Sequence, residues 1–230
     1  DSFSDVWNPF FKSFYYNWKD CGLNIFLLSN EKDCEELNVK TIKVGPDISW
    51  SDNLIKAIDD LKNEYVLLLL EDLFLVNKVS SNYFDKISEW IRLNNPNYLR
   101  LTISHKPKAF DNLVGQIPQK TPYKTSLMPC IWKKSTLKEI IRSGESAWDF
   151  EIKGSLRASE YDNFYALNKN LIDYKNAIIK GKWRRSIIYN NFYNINIKTI
   201  SRPMMTNFEE FIYYLRKKRA NLFNKLPNSL

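Results

Sequence analysis

Two groups of carboxylates and one run of cations are the residues of this chain best suited to chemistry. Glu71 and Asp72 stand at the end of the apolar run 65–70. Adjacent carboxylates just past a buried strand can hold a divalent metal or hydrogen-bond a ribose or sugar. Such strand ends are also where open α/β sheets bind ligands. Glu145, Asp149 and Glu151 form the second group, within Glu145-Ser-Ala-Trp-Asp-Phe-Glu151. On a helix, Asp149 and Glu151 lie about half a turn apart, so one cleft would receive only one of them. Glu145 reads alternatively as a helix-start residue. Trp148 could stack on a sugar ring or pack beneath a cleft. The cations are Lys182, Arg184 and Arg185, in the turn Lys180-Gly-Lys-Trp-Arg-Arg185. They suit a phosphate whose charge develops during reaction, or a solvated or membrane-facing patch.

Alternating helical and strand patterns must position these groups, and they argue for an α/β sheet. Residues 6–18 carry Trp7, Phe10, Phe11, Phe14 and Trp18 at helical spacings, a core-facing stripe. Segments 24–29 and 39–44 read as strands. Ser51 reads as the cap of a helix to about Asn63, with Leu54, Ile55, Ile58 and Leu61 inward. Residues 65–70 form a continuous apolar run, the pattern of a central strand covered on both faces. A helix over 82–93 and a strand over 98–103 follow. Residues 104–122 read as a long loop, a candidate binding loop or lid. Segment 126–132 reads as a strand, 135–142 as a short helix ended by Gly144, and the second acidic group opens a helix through Arg157. Residues 162–167 and 178–179 suit short strands. A final amphipathic helix spans 207–219, with Phe208, Phe211, Ile212 and Leu215 on one side and Arg216-Lys-Lys-Arg219 at its end.

The block Trp50-Ser-Asp-Asn-Leu-Ile-Lys-Ala-Ile-Asp-Asp-Leu-Lys-Asn-Glu-Tyr-Val-Leu-Leu-Leu-Leu-Glu-Asp resembles the helix, apolar strand and acidic group of GT-A glycosyltransferases. It is most similar to bacterial enzymes that build capsule and lipopolysaccharide glycans. Asp5-Val-Trp-Asn-Pro-Phe-Phe-Lys, Trp18-Lys-Asp-Cys21, Cys130-Ile-Trp-Lys-Lys134, Trp148-Asp-Phe-Glu151 and Gly181-Lys-Trp183 extend the resemblance over roughly residues 1–185. The resemblance implies a single GT-A, Rossmann-like α/β domain over 1–185. Its sheet would be mixed and mainly parallel, and 186–230 would form a basic, aromatic helical extension. It implies transfer of a sugar from a nucleotide-sugar donor to a glycan or lipid-linked acceptor, with inversion, in surface polysaccharide synthesis. The nucleotide would sit near Asp1, Ser2 and Ser29, and the diphosphate near Glu71 and Asp72. The acceptor would enter over Trp148–Glu151, beneath the 104–122 loop. Glu151 is the first choice for the base that takes the acceptor proton, Asp149 the second and Glu145 the third. Leu73 stands where the group's last, metal-touching acid usually lies. Two routes therefore stay open: Mn²⁺ or Mg²⁺ held by Asp72, or metal-independent transfer with Lys182, Arg184 and Arg185 neutralising the diphosphate.

Composition narrows the rivals. Three cysteines and one histidine, in 230 residues, match no zinc or disulfide framework. They leave only a Cys–His105 pair as a thiol site. Six glycines form no phosphate loop, which argues against P-loop and Rossmann dinucleotide readings. No apolar run approaches the roughly 20 residues of a membrane span. The start, Asp1-Ser2-Phe3-Ser4-Asp5, lacks signal-peptide character, and a cytoplasmic protein is expected. Of 34 Lys/Arg and 26 Asp/Glu, 12 and 2 fall in 175–230, giving that tail +10 and the body −2. The tail suits an anionic membrane surface. A nucleic-acid-binding module is the rival it supports, although the acidic body and lack of a reader motif make nucleic acid an unexpected partner. A catalytically inactive GT-like scaffold is the rival that Leu73 supports.

Overall fold

The computed structural model describes residues 1–104, 107–191 and 202–223. His105, and with it the Cys–His pair, lies outside the described residues. The chain opens with helix α1 (Ser4–Asn17), which buries Trp7, Phe10, Phe11 and Phe14, followed by buried Trp18. Strands β1 (Ile25–Ser29) and β2 (Val39–Lys43) pair in parallel, Ile25 opposite Val39. Helix α2 (Trp50–Asp60) is capped by Ser49, whose hydroxyl accepts from the Asp52 N–H at 3.1 Å. Ser51, the expected cap, is buried inside the first turn, and Leu61 falls past the helix end. Strand β3 (Tyr65–Leu68) stops two residues before the apolar run does. Leu70 accepts from the Leu73 N–H at 3.0 Å, turning the chain into the fully buried β4 (Leu73–Leu75).

Helix α3 (Ser81–Asn94) is capped by Ser80 and ends on Asn95 at φ 47°, a left-handed conformation that asparagine tolerates. Strand β5 (Tyr98–Arg100) follows. The expected 104–122 loop contains a hairpin, β6 (Lys108–Ala109) and β7 (Val114–Gln116). Asp111 fastens it, accepting from the Leu113 and Val114 N–H groups and from Trp90 Nε1 at 2.7–2.8 Å. Strand β8 (Cys130–Lys133) leads into α4 (Lys134–Ile140). Next, α5 (Ala147–Asp149), a π-helical turn over Phe150–Gly154 and α6 (Ser155–Arg157) run as one helical rod. Strands β9 (Phe164–Leu167), β10 (Tyr174–Asn176), β11 (Ile178–Ile179) and β12 (Lys182–Trp183) precede α7 (Arg185–Asn191) and α8 (Asn207–Phe223).

The main sheet has six strands in the order β3-β8-β5-β9-β7-β6. It is mixed, but the mainly parallel arrangement expected does not hold. Only β5–β9 is parallel; the other four neighbour pairs are antiparallel. The reason is β8, which inserts antiparallel between β3 and β5. Strand β3 is therefore an outer strand of this sheet rather than a central one, and three of its four residues are only half-buried. Alternation along the strands separates two cores. Leu99, Ile131, Tyr165 and Leu167 meet α1 and α3 on one face. Tyr98, Trp132, Phe164 and Ala166 meet α2, α4 and Phe150 of the helical rod on the other. The layers are thus helix, sheet, helix.

The C-terminal part is tied to this body. Trp183 is fully buried, its ring 5.8 Å from that of Phe74. Its backbone bonds Pro203 and Met205, and Arg202 pairs with Asp5 at 2.7 Å. Among the described residues no helix is long and apolar enough to cross a membrane.

Candidate active site

The turn after β3 carries the first acidic pair. The Asp72 carbonyl accepts from the Ala177 N–H at 2.8 Å, which fastens the turn to the chain after β10. The Asp72 carboxyl is half-buried beside Glu71. Burial first, then the Glu71 charge, pushes it up to about 6. Leu73 is 1% exposed in β4, so the position of a third acid belongs to the core.

Glu151 rises from the π-helical turn. Its carboxylate Oε1 accepts from the Leu127 N–H at 2.7 Å and the Ser126 hydroxyl at 3.1 Å. Around it, Thr125 Oγ1 donates to the Phe150 carbonyl at 3.1 Å, and the Thr125 N–H donates to Ser155 Oγ at 3.0 Å. Gly154 permits this approach, because a Cβ there would lie 3.1 Å from Thr125 Oγ1. Single π turns recur at functional sites, where the extra residue re-aims side chains.

The hydroxyl of Tyr174, on β10, feels the charges of both acids. Burial raises its pKa most, and Arg100, Glu151, Tyr213 and Asp72 all act on its hydroxyl, which also meets Met128 Sδ. Arg100 reaches in from β5, donating to the Tyr123 carbonyl at 2.8 Å and to Ser104 Oγ at 3.2 Å. Beside Tyr174, Lys217 borders a cavity of about 410 Å³ with Thr102, Ser104, Asn170 and Asp173. Burial, then the charges of Lys175 and Arg184, lower the Lys217 pKa. The Arg184 guanidinium lies 4.6 Å over the Tyr213 ring, and among the described residues its buried Nε has no hydrogen-bond partner. Lys217 thus lines the cavity with two further cations, Lys175 and Arg184, acting on its charge, an arrangement that favours an anion.

The other expected residues are placed elsewhere. Glu145 is buried and paired with Arg157 through contacts of 2.8 and 2.7 Å. Its backbone bonds Ser51, so it joins the rod to α2. Asp149 closes a capping box with Ser146 and is held down to about 2 by Lys153, then by Ser146. Both acids are therefore engaged in holding the rod, whereas the Glu151 carboxylate is held by the loop before β8. Trp148 is 63% exposed, its ring 6.0 Å from that of Tyr123, and so does not pack beneath a cleft.

Lys182 is paired with Glu209 at 2.6 Å, and Arg185 is exposed at the start of α7, facing Tyr189. Of the three expected cations only Arg184 joins the cluster. Asp1 and Ser29 do meet at the end of β1. The Asp1 carboxylate accepts from Ser29 Oγ and from the N–H groups of Asn30, Glu31 and Lys32 at 2.7–3.2 Å, so these loop contacts occupy it. Ser2 offers its carbonyl to Arg202.

Arg100, Tyr174, Lys175, Tyr213 and Lys217 were not expected. Arg100 had a signal in the sequence, a lone charge inside an apolar strand; the others are brought in by long-range packing. Among the described residues no group of three or more His, Cys, Asp or Glu is arranged to hold a metal ion. Glu71 and Asp72 supply two carboxylates, short of a protein-built metal centre. Comparison with protein-family models, with curated proteins and with solved structures yields no match.

Proposed function

We propose that this chain is a glycosyltransferase of the GT-A kind, moving a sugar from a nucleotide-sugar donor to an acceptor hydroxyl with inversion. The observation that carries this reading is Tyr174, which lines a cavity with Lys217 and whose hydroxyl feels the charges of both Glu151 and Asp72. Glu151 Oε2 takes the acceptor proton while the acceptor oxygen attacks the anomeric carbon. The bond from that carbon to the phosphate oxygen breaks, and the nucleoside diphosphate departs with the bonding pair. Lys175, Arg184 and Lys217 meet the charge that develops on it. Asp72 hydrogen-bonds a ribose or sugar hydroxyl. Trp148 and Tyr123 offer exposed rings to a glycan or lipid-linked acceptor. A Mn²⁺ or Mg²⁺ ion arriving with the donor would find one or two carboxylates at Glu71 and Asp72 and would add charge neutralisation. The capsule or lipopolysaccharide setting, on the cytoplasmic side, follows from the sequence resemblance.

A thermal-shift screen of UDP, GDP, CMP and dTDP sugars, each with and without Mn²⁺, tests the proposal. A ligand that binds only the folded state raises the melting temperature. One nucleotide sugar is expected to give a shift. The buried Leu73 favours a second reading, an inactive scaffold of the same fold, which predicts no shift with any of them.

A further inference from the structure

Helix α8 is docked through its polar side. Glu209 bonds Lys182 at 2.6 Å, and the Glu210 carboxylate accepts from the Ser186 N–H at 3.0 Å. Tyr213 lies under Arg184, and Lys217 lines the cavity beside Tyr174. At about 100° per residue these four share one half of the helix. Phe208, Phe211 and Leu215 project from roughly the opposite half, 72, 56 and 44% exposed. A surface helix ordinarily buries its apolar stripe and shows water its polar one. Here the apolar stripe faces out, flanked by the exposed Tyr214, Arg216 and Lys218. Both acids of the helix are turned inward and engaged, so its outer face carries aromatic, aliphatic and cationic groups without an anion.

We propose that α8 is an interfacial helix, lying in the plane of an anionic lipid bilayer with Phe208, Phe211 and Leu215 among the acyl chains. Arg216 and Lys218 then lie at the headgroups. Aromatic and aliphatic groups with basic flanks are the makeup of helices that bind this interface. The charge selects the surface, since each basic residue near anionic headgroups raises partition by about fivefold. The proposal does not depend on the glycosyltransferase reading. If both hold, the bilayer is brought to the helix that supplies Tyr213 and Lys217 to the cleft.

The test is co-sedimentation of the full chain with two vesicle types, phosphatidylcholine alone and phosphatidylcholine containing about one third phosphatidylglycerol. No nucleotide sugar is present, so the outcome is independent of activity. The wild-type chain is expected to pellet with the anionic vesicles, less so at high salt, and to stay in the supernatant with phosphatidylcholine. Phe208→Ser combined with Phe211→Ser and Leu215→Ser, and separately Arg216→Glu with Lys218→Glu, are each expected to weaken binding by about tenfold or more. These side chains are exposed, so an unchanged melting temperature separates lost docking from lost folding. Absence of binding to anionic vesicles, or equal binding by the variants and wild type, overturns the proposal. So does self-association in ultracentrifugation that the Phe208, Phe211 and Leu215 substitutions abolish, because the face would then be covered by a second copy.

Discussion

Replacing Asp72 by Asn should make the protein more stable, by an amount that depends on pH. The half-buried carboxyl is raised from 3.8 to about 6 by burial and the Glu71 charge. A group whose folded pKa lies above its unfolded value disfavours the folded state once it ionises. Below about pH 4 both states hold the proton and nothing is lost. As pH rises from 3.8 to about 6 the penalty grows, and above about 6 it is complete. At about 1.4 kcal/mol per tenfold the full penalty is about 3 kcal/mol; partial exposure reduces it to about 2 kcal/mol. Asn removes the charge at nearly constant shape. Urea denaturation of wild type and Asp72→Asn from pH 3.5 to 8 should give coincident curves at the acid end. Near pH 7.5 the variant should gain about 2 kcal/mol, or about 4–8 °C in melting temperature for a chain of this size. A variant that is equally or less stable at pH 7.5, or whose advantage does not change with pH, refutes the reasoning. Stability withheld at a cleft carboxylate is the mark expected of a group kept for binding or chemistry.

Glu151→Gln keeps an acceptor for Leu127 and Ser126, so it should cost only about 1 kcal/mol of stability. It should also lower kcat by about 10²–10⁴ with whichever donor the screen identifies. Arg157→Met strands the buried Glu145 carboxylate and should cost about 3 kcal/mol in denaturant titration. Adding Glu145→Gln should recover part of that loss. Arg184→Ala and Lys217→Ala should each weaken nucleoside diphosphate binding about tenfold by calorimetry and reduce its salt dependence.

The acidic strand end and the rod carrying Glu151 were legible because each follows from local periodicity. The run at 65–70 announced a strand and its acids, although the strand is shorter and stands at the sheet's edge. Segment 126–132 misled, because Pro129 lacks an N–H and β8 begins only after it. The residues before it form the loop that holds Glu151, a role no strand pattern reveals. Asp149 and Glu145 have the residue types of a catalytic base. Ser146 three positions before Asp149 is itself the signature of a capping box, whereas the Glu145–Arg157 pair depends on how the rod turns back on α4. The faces of α8 could be read from its 3.6-residue period. Which face docks could not, since that depends on Lys182 and Arg184 arriving from a distant turn.

The π-helical turn at Phe150–Gly154 also makes the rod separable into two phases. It contains one residue more than an α-helix closing the same turn would need. Loss of a single residue there would restore a plain helix and rotate Trp148 and Asp149 by about 100° relative to Arg157. That rotation would break the pairs that span the turn, Arg157 with Glu145 and Lys153 with Asp149, so the extra residue fixes the angle at which the rod presents Trp148.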